Sequence, residues 1–159
     1  MAIDYQPVKV GQRRNRAQFE EEISRRKLRL YGLDILWVAA VASQNGETQI
    51  ANTSIVSLAD LGFMWGAYFQ DIHPRAKYLG LVVCPADLAV EAGLQHELPE
   101  QQVLIGMEPA YPEMRGHIEM EPTAPLIYTV YGKDSVSSVR AYNGILDRAT
   151  RMLFIRPSL

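Results

Sequence analysis

The sequence predicts an α+β fold: one domain on a mixed or antiparallel sheet, with an N-terminal amphipathic helix and one or two further helices. Three observations carry this expectation. A capped stretch near the N-terminus repeats its apolar residues at helical spacing. Several apolar runs have strand length and end at turn residues. Five prolines (Pro99, Pro109, Pro112, Pro122 and Pro125) forbid a long helix or a central strand across that region. At 159 residues, with no repeat, low-complexity tract or linker, 1–159 reads as a single domain.

The first helix is expected from about Arg16 to Tyr31. Asn15 can cap it, and Gln18 completes an Asn-x-x-Gln capping box. Phe19, Ile23 and Leu30 form its apolar stripe, Glu21–Arg25 and Glu22–Arg26 are i,i+4 pairs, and Gly32 suits a left-handed C-terminal residue. Leu33 to Ser43 is rich in Leu, Ile, Val and Trp and reads as a buried strand. Asn45-Gly46 would turn it into a second strand near Thr48 to Val56, giving a hairpin. From Leu58 to Ile72 the apolar positions 58, 61, 65, 68, 69 and 72 follow a helical period, with Ser57 as cap and Pro74 as stop. Gly62 and Gly66 would then form a close-packing face of that helix.

Further on, Tyr78 to Val83 reads as a buried strand, and Pro85 suits the first turn of a short helix through Leu94. Gln102 to Met107 and Leu126 to Tyr131 read as strands, the latter followed by a turn at Gly132 to Ser135. Val136 to Arg151 fits either a helix or a hairpin turning at Asn143-Gly144, and Met152 to Ile155 closes the reading as a strand.

Composition narrows the class. With 48% hydrophobic and 21% charged residues, the chain is neither disordered nor collagen-like, and one cysteine excludes a disulfide scaffold. A lone Cys84 fits a reducing compartment. The N-terminus has no secretory-signal pattern, and the longest apolar stretch, Leu33 to Ala42, is half a bilayer span. A soluble intracellular protein is therefore expected, alone or within a particle assembled there.

The net charge of −2 is a cancellation. Residues 1–32 hold eight bases against four acids, about +4, whereas residues 86–121 hold eight acids against Arg115, about −7. Opposite charge in separate segments attracts within one molecule or between copies. The expected interface residues are Arg13, Arg14, Arg16, Arg25, Arg26 and Lys27 on one side, and Glu108, Glu113, Glu119 and Glu121 on the other. Residues 1–14 read as a flexible or partner-docked arm, and 99–125 as an acidic, Pro-rich extended segment. Few aromatics interleave with the bases, which argues against nucleic acid.

Material for chemistry is sparse. Cys84 falls between an expected strand and a helix N-terminus, where a thiolate is favoured, and His96 or His117 would be its base. In extended form, His117, Glu119 and Glu121 share one face and could ligate a divalent metal. Asp71-x-His73 suits a proton relay or, more simply, a helix end. No phosphate loop, dinucleotide fingerprint or zinc-ligand spacing is present, so no cofactor is expected. The expectation is a non-catalytic assembly subunit, such as a virion, tail or shell component, that associates with itself or with other subunits. The alternative is a small enzyme or ligand-binding domain with a site near Cys84 and His117, or a pocket beside Trp65, Tyr68 and Phe69.

Overall fold

Two short strands open the fold, β1 (Ile3–Asp4) and β2 (Val8–Val10), followed by helix α1 (Arg16–Arg26). The structure is a computed structural model that describes residues 3–31, 35–44, 46–97, 101–109, 126–131, 135–140 and 144–157. Asn15 caps α1 as its side chain predicts, Oδ1 accepting from the Gln18 amide at 3.0 Å, while Gln18 Oε1 reaches the Arg14 amide at 2.8 Å. The helix ends five residues before the expected Tyr31. The left-handed residue at its end is Lys27 (φ 55°), and the Leu28 amide returns to Ile23 O; Gly32, expected in that role, lies outside the described residues. That early stop lets Leu28 enter the core and frees β3 (Arg29–Tyr31) to join the sheet.

Helix α2 (Ile35–Gln44) replaces the strand expected from Leu33 to Ser43, so the Asn45-Gly46 hairpin does not form. Its buried positions Val38, Ala39 and Ala42, with half-buried Ile35 and Val41, are helix-spaced. Three alanines outweigh the β-branched composition that suggests a strand. Strands β4 (Gln49–Ala51) and β5 (Thr53–Ser57) follow, β4 pairing with β2 and β5 with β1.

The helix expected over Leu58 to Ile72 is also overturned. Gly62 and Gly66 have φ of 98° and 85°, which a right-handed helix cannot contain. The segment is instead a series of turns leading to β6 (Ala67–Tyr68) and then α3 (Phe69–Tyr78). Pro74 lies inside α3 rather than ending it. The helix forgoes one backbone bond there and is held by burial of Phe69, Ile72, His73 and Ala76. Tyr78 to Val83 is not a buried strand: Tyr78, Leu79 and Val82 are exposed, and Val82 makes only a single bridge to Ile155.

Helix α4 (Asp87–Gln95), expected from Pro85, is buried from Asp87 through Leu94. It lies against β2, α1 and α2 and against two later strands, β8 (Leu126–Tyr131) and β9 (Ser135–Arg140). Gly93 permits this approach, because a Cβ there would sit 2.9 Å from a Leu28 methyl. The remaining strands are β7 (Val103–Ile105), β10 (Ile145–Leu146) and β11 (Arg151–Ile155). Residues 135–140 and 145–146 are thus extended, not helical, and β9 and β10 belong to different sheets.

The main sheet runs β1-β5-β11-β7-β8-β9-β3, with parallel pairs β11/β7 and β9/β3 and antiparallel pairs elsewhere; β10/β6 and β2/β4 are separate ladders. The fold is a mixed-sheet α+β domain with three helices beyond the N-terminal one among the described residues, where one or two were expected. Met152, Leu153 and Phe154 of β11 are all buried, so both faces of the sheet are covered at its centre.

Candidate interaction surface

The turns between β5 and β6 are tied down at every step. Ser57 Oγ accepts from the Asp60 amide (3.0 Å), and Asp60 Oδ2 accepts from the Ser57 amide (2.9 Å). The Leu58 and Ala59 amides donate to Thr150 O and Arg148 O, which fastens this first turn to the 147–150 turn. Arg75 Nε on α3 donates to Leu61 O at 2.8 Å, and its guanidinium lies 5.3 Å from the centre of the Tyr78 ring. Gly66 runs so close to β10 that a Cβ would lie 2.3 Å from Leu146 O.

This rigid frame presents apolar side chains to solvent. Trp65 is 95% exposed, beside Met64 at 52%. In the β6/β10 ladder, Ala67 pairs with Leu146, and Ala67 is buried; Tyr68 pairs with Ile145, and both are exposed. A ladder with one wet face ordinarily turns polar residues to it. Here the wet face carries an aromatic and a β-branched side chain. Phe69 is buried, so Trp65, Tyr68 and Phe69 do not enclose a pocket. The helical period of the sequence puts Trp65 and Tyr68 on a core face. The signal that marks them otherwise is the pair of glycines bracketing Phe63-Met64-Trp65.

The basic N-terminal segment is largely occupied within its own chain. Residues 5–13 run along α4: Tyr5 Oη donates to Glu97 O (2.7 Å), His96 Nε2 to Pro7 O (2.6 Å), and Gln95 exchanges two hydrogen bonds with the Lys9 backbone. Arg13 forms an ion pair with Glu91, which is fully buried. Burial raises the Glu91 carboxyl to about 7, against the opposing pull of Arg13; Asp87, buried one turn earlier, pushes the same way as burial. Arg14 donates to Gly11 O, Arg16 pairs with Glu20, and Arg25 turns to Glu22 rather than Glu21. Its hydrogen bonds hold Glu22 below the usual carboxylate range. Arg26 and Lys27 are exposed. Glu108 is exposed, 3.8 Å from Lys77, while Glu113, His117, Glu119 and Glu121 lie outside the described residues. The sequence shows Glu91 only as one acid among eight. Its signal is that Asp87 and Glu91 interrupt an otherwise apolar helix.

Cys84 does precede α4, but it is buried, and its thiol donates to Leu153 O at 3.4 Å. Burial pushes its pKa far above the ordinary thiol value, so the helix end does not yield a thiolate. His73 is buried between Phe69 and Phe154, its Nε2 without a hydrogen-bond partner, whereas Asp71 is exposed; the two form no relay. A groove of about 260 Å³ lies elsewhere, lined by Val10, Ile50, Ala51, Pro85, Ile155 and Arg156 among others. Among the described residues, no three His, Cys, Asp or Glu side chains gather as a metal site, and no helix is long and apolar enough to cross a membrane.

No protein-family model, curated protein or solved structure matches the chain. Its class therefore rests on the fold: a mixed-sheet α+β domain that presents exposed Met64, Trp65, Tyr68 and Ile145 from hydrogen-bonded turns and the β6/β10 ladder.

Proposed function

We propose that this chain is a non-catalytic assembly subunit that associates with further copies of itself. The observation that supports this reading is the Trp65 surface. Tryptophan, methionine and tyrosine are the side chains enriched at the centres of protein interfaces, and an exposed apolar cluster on a rigid frame loses little entropy on binding. Charge contributes less than the sequence suggests, because Arg13, Arg16 and Arg25 already meet acids of their own chain. Arg26 and Lys27 remain as exposed charges that steer encounter rather than hold the contact.

Native mass by size exclusion with light scattering, at low and near-physiological salt, tests the reading. The expected result is a mass above that of the 17.9 kDa chain which rises with concentration. A monomer throughout overturns it.

A further inference from the structure

Resting on the self-association reading, we infer that the contact is two-fold: the Trp65 surface of one copy closes on the same surface of a second. An isologous interface requires a patch compatible with its own rotated image. The charged residues near this surface in the chain are Asp60 before it, Asp71, Arg75 and Lys77 on α3, and Asp147 and Arg148 in the turn after β10. Three acids and three bases flank the patch along the chain, so charge of both signs can pair with its own rotated image, an acid of one copy against a base of the other. A rim of one sign would repel its image. The charge of residues 1–32 and 86–121 has the opposite character, each segment being of one dominant sign and suited to head-to-tail contact.

The apolar side chains of the patch are Met64, Trp65, Tyr68 and Ile145, all of them exposed. Four side chains fall short of the roughly 800 Å² per partner that a stable interface needs. Arg75 supplies the continuation, because it joins the Leu61 carbonyl to Tyr78, itself 80% exposed and followed by exposed Leu79. Trp, Tyr and Arg together are the residue types over-represented among interface hot spots.

Sedimentation equilibrium of the full chain, with Trp65→Ser as the variant, tests this. The wild type is expected to saturate at two copies, with association that survives raised salt. Trp65→Ser is expected to weaken it by about thirtyfold or more, the scale of a hot spot, with an unchanged melting curve because Trp65 is exposed. Single Met64→Cys, Tyr68→Cys and Ile145→Cys variants, oxidised separately, give a second readout. The native Cys84 is buried, so a covalent dimer reports the new thiol meeting its own copy. At least one variant is expected to cross-link. Growth beyond two copies, association lost with salt, indifference to Trp65→Ser, or failure of all three cysteines to cross-link overturns the two-fold contact while leaving self-association standing. A wild-type monomer overturns both.

Discussion

Glu91→Gln isolates the cost of the buried carboxylate on α4. Folded, Glu91 titrates near 7; its ordinary value is 4.5. At about 1.4 kcal/mol per pH unit, ionising it in the folded chain opposes folding by about 3 kcal/mol. The sign follows from the raised value. The folded state holds this proton more tightly than the unfolded state, so the contribution to stability is complete below pH 4.5 and is lost as pH rises through 7. Glutamine keeps the shape of the protonated acid, and its amide oxygen can still accept from Arg13. Urea unfolding at pH 5 and pH 8 should therefore give similar midpoints for variant and wild type at the lower pH. At pH 8 the variant should be the more stable by about 3 kcal/mol, or about 1.5 M urea at a slope of roughly 2 kcal/mol per M. A variant less stable than wild type at pH 8, or a difference that does not change with pH, would show that the Arg13 ion pair outweighs burial.

The other expected outcomes concern different regions. His73 has the opposite pH sense: burial between Phe69 and Phe154 lowers its pKa below 6.5, so stability present above that value is lost as pH falls through it, and His73→Phe should flatten the acid side of a thermal-melting profile. An unchanged acid limb would place the acid sensitivity elsewhere. Gly66→Ala should lose about 2 kcal/mol, from its positive φ and the Leu146 carbonyl in the path of the methyl. Gly46→Ala, strained in φ but open in space, should lose less, and equal losses in calorimetry would refute the packing argument. Cys84 should react with an aromatic disulfide reagent only on unfolding; rapid labelling of the native chain would contradict its burial.

Elements with short-range determinants were legible in the sequence. Asn15 and Gln18 define the start of α1, Pro85 announces α4, and the short apolar runs in Leu126–Tyr131 and Met152–Ile155 report strands. The misread elements are those where composition and tertiary packing disagree. Leu33–Ser43 has a strand-like composition, but α2 packs against α1 and α4, and helix spacing satisfies that surface. In 58–72 the apolar period is accidental, because two glycines with positive φ redirect the chain between its repeats. The surface was missed for the same reason: Trp65 and Tyr68 would face the core on the expected helix, and are exposed on a turn and on β6. Charge segregation is a property of the sequence that names no partners. The ion pair of Arg13 with Glu91 depends on two residues 78 apart in the chain, a juxtaposition no spacing rule reveals.

The position of β11 governs the order in which this chain can fold. It is the last of the described strands to be made, yet it lies between β5 and β7 at the middle of the seven-stranded sheet. Until residues 151–155 are available, Ile55 and Val56 have no partner on that edge, and neither do Leu104 and Ile105. The two halves of the sheet, β1-β5 and β7-β8-β9-β3, cannot join without it. Folding therefore awaits a late segment that must find strands roughly fifty and a hundred residues upstream. Such distant pairing is slow, since loop closure precedes any reward from contact. A nascent chain of this kind depends on protection of its apolar strand edges before its centre is in place.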